Sequence, residues 1–286
     1  MALKLDAIGT VGDPVERSWS SKDALLYALA VGAGADNPTK ELAFTTESTK
    51  GVPQQVLPTF GVVAAMGAGK VVRGIGKFNP AMLVHAEQGI EIHRPIEPEG
   101  TVLITPVLSD IADKGSGALV VTEARAVDAE TGEPAFTTRS GMFIRGEGGF
   151  DPDRGPSGPK PTMPDRAPDH VVAYPTLPHQ ALIYRLCGDR NPLHSDPSFA
   201  ALGGFDRPIL HGLCTYGFTG RALLHSLCGG EASRLTAVYG RFSKPVLPGE
   251  TLTVSIWVDE DGKGASFRTT TDADTVVLDL GRCSFT

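Results

Sequence analysis

Asp189, Asn191 and His194 fall within six residues, in the run Tyr184-Arg185-Leu186-Cys187-Gly188-Asp189-Arg190-Asn191-Pro192-Leu193-His194-Ser195-Asp196-Pro197. A glycine and two prolines interrupt regular structure there, so the three polar groups sit on a loop, where catalytic side chains concentrate. A carboxylate and an imidazole on one tight turn can face a single water or a proton-bearing substrate, which is what general acid–base chemistry near neutral pH requires. The Asn191 amide can fix their orientation. Further along, Pro208-Ile209-Leu210-His211-Gly212 opens an apolar helix-like run. The first N–H groups of a helix lack internal partners and carry the positive end of its dipole, so a developing oxyanion at Gly212 would be stabilised. The combination is an acid–base pair beside an oxyanion site.

Other readings of the same residues weigh against this one. Asp-x-Asn-Pro is also ordinary turn chemistry, because Asp and Asn side chains bond their own backbone. The spacing of Asp189, His194 and His211 fits no common metal motif, so no metal is expected. Cys187 and Cys214 lie in apolar surroundings, where a thiol is usually inert packing. Gly67-Ala68-Gly69-Lys70 lacks phosphate-loop spacing, and no Gly-x-Ser-x-Gly occurs to support an esterase.

The elements that must hold this loop come in two sets. Eleven of the 23 residues in 146–168 are Gly or Pro, which marks a linker between a module at 1–145 and another at 169–286. The two halves echo each other in order. Ile92-His93-Arg94-Pro95-Ile96 matches Phe242-Ser243-Lys244-Pro245-Val246. Leu57-Pro58-Thr59-Phe60-Gly61 echoes Ile209-Leu210-His211-Gly212, and Tyr27-Ala28-Leu29 sits where Tyr184-Arg185-Leu186 sits. Such order argues for one fold used twice. In the second half the 3–4 spacing of Leu213, Tyr216, Gly217, Gly220, Leu223, Leu224 and Leu227 predicts a buried helix over 211–227. Strand-like runs follow at 236–242, 251–257, 265–271 and 276–285, and in the first half at 89–93, 101–108, 118–128 and 135–145. A helix followed by an antiparallel meander is an α+β layout.

Composition narrows the partners. The 286 residues are 41% hydrophobic and 21% charged, as in an ordinary globular protein. Twenty-six Lys and Arg against 33 Asp and Glu give a net charge of −7, which offers no broad positive surface for nucleic acid. The four cysteines form no CxxC pair and suit a reducing compartment. No apolar run approaches the ~20 residues of a membrane helix, and Met1-Ala2-Leu3-Lys4-Leu5 opens no secretory leader. The expectation is a soluble, cytoplasmic protein.

The stretch Gly188-Asp189-Arg190-Asn191-Pro192-Leu193-His194, followed by His211-Gly212, resembles the signature of MaoC-like, (R)-specific enoyl-CoA hydratases. The likeness extends over nearly the whole chain, through Leu83-Val84-His85-Ala86-Glu87-Gln88, Asp113-Lys114-Gly115-Ser116-Gly117 and Arg241-Phe242-Ser243-Lys244-Pro245. One departure is Ala86, where the family more often has glycine. The resemblance implies a double hot-dog fold, two antiparallel sheets each wrapped around a central helix, and a reversible hydration of trans-2-enoyl thioesters. It assigns Asp189 and His194 as the catalytic dyad and the Gly212 amide as the oxyanion donor. His85, Ala86, Lys114, Arg190, Asn191, Pro192, Leu193 and Phe242 would contact the substrate, with Arg241 and Lys244 as further phosphate contacts. It implies no cofactor, coenzyme A being part of the substrate, although an acyl carrier protein could present the same thioester. The family often forms homodimers.

The first half departs at the decisive positions. Ala33-Gly34-Ala35-Asp36-Asn37-Pro38 stands where the dyad should be, with no following His, and Thr59 replaces His211. The resemblance therefore implies a substrate-binding, non-catalytic first module whose central helix is reduced. Two alternatives share the fold: a thioesterase, and a non-catalytic acyl-binding module.

Overall fold

The computed structural model describes residues 3–68, 71, 74–151 and 162–286. The middle of the expected linker, 152–161, and Gly69-Lys70 lie outside the described residues. The strands are β1 (Val15–Trp19), β2 (Leu83–Ile92), β3 (Gly100–Asp113), β4 (Gly117–Asp128), β5 (Pro134–Arg145), β6 (His170–Pro175), β7 (Leu235–Phe242), β8 (Thr251–Val258), β9 (Gly264–Thr271) and β10 (Val276–Phe285). The helices are α1 (Ser21–Ala30), α2 (Leu42–Thr45), α3 (Phe60–Ala64), α4 (Gln180–Tyr184), α5 (Pro197–Leu202) and α6 (Gly212–Cys228). Among the described residues no helix is long and apolar enough to cross a membrane.

The strands form one antiparallel sheet in the order β1-β3-β4-β5-β2-β7-β10-β9-β8-β6. The two expected sheets are thus continuous, joined edge to edge by β2 and β7. The order reads the same from either end once β1 to β5 are matched with β6 to β10. At the centre Gly89 pairs with Tyr239, Gln88 with Gly240 and Ile90 with Val238. Gly89 and Tyr239 lie 150 positions apart (239 less 89), which is the spacing of the sequence repeat. A residue that pairs with its own counterpart in an antiparallel ladder sits on a local twofold axis, the isologous contact of a symmetric dimer. The α+β, double hot-dog layout is therefore built like a dimer on one chain.

The expected strands are present, with β2 and β3 longer than their β-branched runs suggested. The outermost strands β1 and β6 were not read from sequence. Each pairs with a single neighbour, β1 with β3 and β6 with β8, and such edges need little apolar patterning. The sharpest asymmetry lies in the helices. The 17-residue α6 buries twelve residues, among them Phe218, Leu223 and Leu224, each worth about 1.5–3 kcal/mol. Its counterpart α3 spans only 5 residues.

Close approach explains the glycines of α6. A Cβ at Gly217 would lie 2.5 Å from Val31 Cγ1, and one at Gly220 would lie 2.5 Å from Thr59 Cγ2. Both neighbours belong to the first module, so these positions let the two halves meet. A buried ion pair reinforces the contact. Arg221, 4% exposed, donates from Nε and Nη2 to Glu41 Oε1 and Oε2 at 2.7 and 2.8 Å, and its guanidinium lies 3.9 Å over the Tyr174 ring. Glu41 also accepts from the Gly34 N–H and bonds His225 Nε2.

Candidate active site

The loop between α4 and α5 is made almost entirely of short-range bonds. Gly188 takes φ 129°, a conformation side chains rarely adopt, and turns the chain out of the preceding single 3-10 turn. Asp189 Oδ1 then accepts from the Asn191 N–H at 3.1 Å, and Asn191 Oδ1 accepts from the Leu193 N–H at 3.0 Å. The second bond caps a 3-10 turn over Pro192–His194, with Pro192 at its first position. The turn chemistry and the catalytic reading are thus one device: the Asx bonds aim the carboxylate and the imidazole.

His194 is 8% exposed, and its Nδ1 lies 2.9 Å from the Ile209 carbonyl oxygen. A carbonyl only accepts, so Nδ1 carries the proton and Nε2 keeps a free lone pair in the neutral ring. Burial pushes the His194 pKa below its ordinary value, against the pull of the Ile209 bond and the Asp189 charge. The ring is neutral at physiological pH and able to accept a proton. Asp189, His194 and His211 each present a ligand-type atom within 4.8 Å of the others. That trio has donors a metal could take. One nitrogen of each ring is committed to a backbone carbonyl, and the two rings are stacked.

Gly212 opens α6, and its N-cap residue His211 makes no side-chain cap. Cys214 and Thr215 donate back to the His211 carbonyl. The amide of Gly212 has no hydrogen-bond acceptor among the described residues, as expected for a first-turn N–H. The Phe242 ring, at the end of β7, packs against the glycine so closely that a Cβ there would lie 3.2 Å from it. On its other side Phe242 meets the His85 ring, centroids 5.0 Å apart and edge-on. His85 Nε2 is buried without a partner among the described residues. Burial lowers the His85 pKa to about 4, so it stays neutral near the Asp189 carboxylate.

A cavity of about 470 Å³ opens beside Asp189 and His85 and runs under α3 past Val62, Ala65 and Met66, with Leu213 of α6 on one wall. That volume is within the usual range of small-molecule sites. Its floor includes Gln88, Thr138, Ser140 and Met142. The structure brings Asp189, His194, Gly212, His85 and Phe242 together: Asp189 and His85 line this space, Phe242 touches both His85 and Gly212, and a ring nitrogen of His194 lies within 4.8 Å of the Asp189 carboxylate. Ala86 is the extra residue of a bulge in β2, where the pairing slips from His85↔Met142 to Glu87↔Gly141. Asn191 and Pro192 are exposed, Leu193 is half-buried, and Arg190 is exposed on the loop. Lys114 is exposed on the turn between β3 and β4 and does not line the cavity. Gly117, at the base of that turn, is three residues along β4 from Val120, which shares a row with Met142 and His85. The turn thus begins about 10 Å beyond His85. Sequence reasoning missed the Ile209 carbonyl and the contact between the His194 and His211 rings.

The first module repeats the turn without the chemistry. Asn37 Oδ1 accepts from the Thr39 N–H, Asp36 is exposed, and Thr59 stands at the N-cap position of α3 as His211 stands at that of α6.

Residues 18–146 match the family described as the MFE-2 hydratase 2 N-terminal domain, and residues 159–279 match the MaoC like domain. The chain is 49% identical over 272 residues to the 3-hydroxyacyl-thioester dehydratase Y of Mycobacterium tuberculosis, covering 94% of this chain and 92% of that protein. It is 45% identical over 285 residues to the enoyl-CoA hydratase ChsH3 of the same organism, covering 97% of each. Among solved structures, a MaoC-like dehydratase from Phytophthora capsici superposes with a TM-score of 0.87 at 32% identity, over 99% of this chain and 98% of that one. The fold alone is shared with a Mycobacterium tuberculosis protein described as a double hotdog, at a TM-score of 0.61 and 17% identity, over 97% of this chain and 95% of that one.

Proposed function

The chain belongs to the MaoC-like family of enoyl-CoA hydratases and 3-hydroxyacyl-thioester dehydratases and is a hydro-lyase, and on that premise we propose how it works. One water is held between the Asp189 carboxylate and His194 Nε2. As its oxygen attacks C3 of a trans-2-enoyl thioester, the dyad takes its proton and a proton is returned to C2 on the same face. The Gly212 N–H bonds the thioester oxygen and stabilises the enolate-like charge that develops there. Dehydration is the same path reversed. The observation that carries this reading is Asp189 at the wall of the cavity with a ring nitrogen of His194 within 4.8 Å of its carboxylate, the lone pair of His194 Nε2 being left free by the Ile209 bond.

The two modules divide the labour. The second supplies the dyad and the oxyanion donor. The first, lacking both, binds the acyl chain in the cavity beneath its short α3. Coenzyme A enters as part of the substrate and not as a resident cofactor, its phosphates reaching toward Lys114 and Arg190. An acyl carrier protein would present the same thioester arm. Four free thiols favour a cytoplasmic setting. The direct test is crotonyl-CoA incubated with the protein. Loss of enoyl absorbance without thiol release, giving the (R)-3-hydroxy product, is expected. Release of free coenzyme A would instead mark a thioesterase, and an (S) product would refute delivery of water to the face of C3 that gives the (R) alcohol.

A further inference from the structure

His211 is the helix-opening residue, and its main chain has an evident task as the N-cap of α6. Its side chain is placed for another. The ring is 1% exposed and lies between two others, stacked on His194 with centroids 3.8 Å apart and planes 28° apart, and 4.9 Å from the Tyr184 ring. Its Nε2 is 3.2 Å from the carbonyl oxygen of Asp189. Because that oxygen only accepts, the proton of the neutral ring sits on Nε2 and Nδ1 is a bare lone pair. Nδ1 is buried with no partner among the described residues, as is the Tyr184 hydroxyl. A capping role explains none of this, since the His211 side chain makes no cap bond.

We infer that His211 is a positioning residue that joins the two halves of the dyad and ties both to the oxyanion helix. One face of its ring sets the plane of the His194 imidazole, and its Nε2–H holds the backbone of Asp189. Its own carbonyl anchors the first turn of α6 through Cys214 and Thr215, so Gly212 moves with it. His194 is thereby fixed by two contacts, an in-plane bond to Ile209 and a stacked neighbour, and Asp189 is fixed by two, the Asn191 N–H and His211. The His194 main-chain N–H already donates to the Asn191 carbonyl within the loop, and the His211 ring is the contact that ties the His194 imidazole itself to Asp189. Displacing catalytic groups by about 1 Å can cost 100-fold in rate, and such a loss falls on turnover, leaving the acyl site in the first module untouched.

This inference rests on the dyad reading, so the experiment is built to separate the two. His211→Phe keeps a ring for stacking and removes the donor. His211→Gln keeps an N–H that can reach the Asp189 carbonyl and removes the stacking face. With crotonyl-CoA, each variant is expected to lose about 10- to 100-fold in kcat with KM within about twofold, and the nitrogen-15 spectrum of the His194 ring is expected to shift in both. Tyr184→Phe keeps the stack and serves as a control for packing. The inference is overturned if either variant keeps kcat within twofold of the wild type, or if KM rises while kcat stays. If His194→Ala and Asp189→Asn themselves retain turnover, it is the dyad reading that fails, whatever His211 does.

Discussion

Replacing Gly212 with proline takes one N–H from the first turn of α6, where no helix hydrogen bond uses it. The position suits proline. It is the first residue of the helix, where proline is favoured, and the preceding His211 sits at φ −60° and ψ 133°, the extended conformation that a residue before proline adopts. One side effect has to be separated. Any Cβ at this position lies 3.2 and 3.3 Å from Phe242 Cε1 and Cδ1, so the ring must give by a few tenths of an ångström. Gly212→Ala carries the same Cβ and keeps the N–H. The ratio of turnover between the alanine and proline variants therefore isolates the donor. Removing one oxyanion donor typically costs about 3–4 kcal/mol, or 100- to 1,000-fold in kcat. We expect Gly212→Ala to lose only a few fold and Gly212→Pro to lose a further 100-fold or more. Both should keep the wild-type thermal midpoint within a few degrees, checked by circular dichroism. The assay is the initial rate of enoyl absorbance loss with saturating crotonyl-CoA. Equal turnover of the two variants in folded protein would place the oxyanion elsewhere.

The other expectations are shorter. Asp189→Asn and His194→Ala should each lower turnover by about 100- to 10,000-fold with the thermal midpoint unchanged, whereas Asp36→Asn should be silent; a comparable loss at Asp36 would mean a second active site. Because the folded pKa of His194 lies below the ordinary value, the proton-accepting neutral ring persists as pH falls through 6.5; kcat/KM for hydration should hold to below that pH before dropping, and a drop centred above it would point to a different base. Glu41→Gln should destabilise the protein. Burial raises the Glu41 pKa, but bonds from His225, Arg221 and the Gly34 N–H outweigh it and hold the carboxyl at about 2, against 4.5. That depression corresponds to about 3 kcal/mol present above pH 4.5 and lost as pH falls toward 2, so the variant should melt roughly 6–12 °C lower near neutral pH and show a flatter acid limb in stability against pH. Ala65→Phe should fill the cavity beneath α3, cutting kcat/KM for long-chain enoyl-CoA at least 10-fold more than for crotonyl-CoA; equal effects would move the acyl chain out of that space.

What was legible in the sequence was what the chain builds locally. The Asp189–His194 loop is held by bonds between residues two apart, so its geometry travels with its letters, and the strands of both meanders carry their own β-branched patterning. Contacts made across the fold left no trace. The Ile209 carbonyl that sets the tautomer of His194 is fifteen residues away, on the main chain of a residue whose own side chain is apolar. Glu41 lies in an unremarkable Lys-Glu-Leu-Ala run, yet it adopts φ 58° and meets Arg221 from the opposite module. Nothing near either residue announces the pair. The edge strands β1 and β6 alternate half-buried and exposed, but neither holds a fully buried residue, and His170–Pro175 follows directly on the Pro-rich stretch. Charge and family likeness single out Lys114, and the fold puts it on an exposed turn at one end of the sheet, outside the cavity lining, a place that only the strand pairing reveals.

The symmetric register at β2 and β7 shows why the loss of one dyad and the room for an acyl chain belong together. A true twofold would set two equal helices against the sheet and repeat the dyad at each. Seventeen residues of α6 run about 26 Å, but five residues of α3 run about 7.5 Å. The missing turns of α3 would otherwise occupy space beside β5, and the cavity now found there is lined by the remaining face of that helix and by Thr138, Ser140 and Met142. A full-length first helix with its own His-Gly opening would restore a second oxyanion donor only by filling the space next to the first dyad. On the proposed reading, two complete sites and one deep acyl pocket would compete for the same volume on this sheet. The five-residue α3 leaves that volume open as a cavity, and α6 meets what remains of the first module through glycines at 217 and 220.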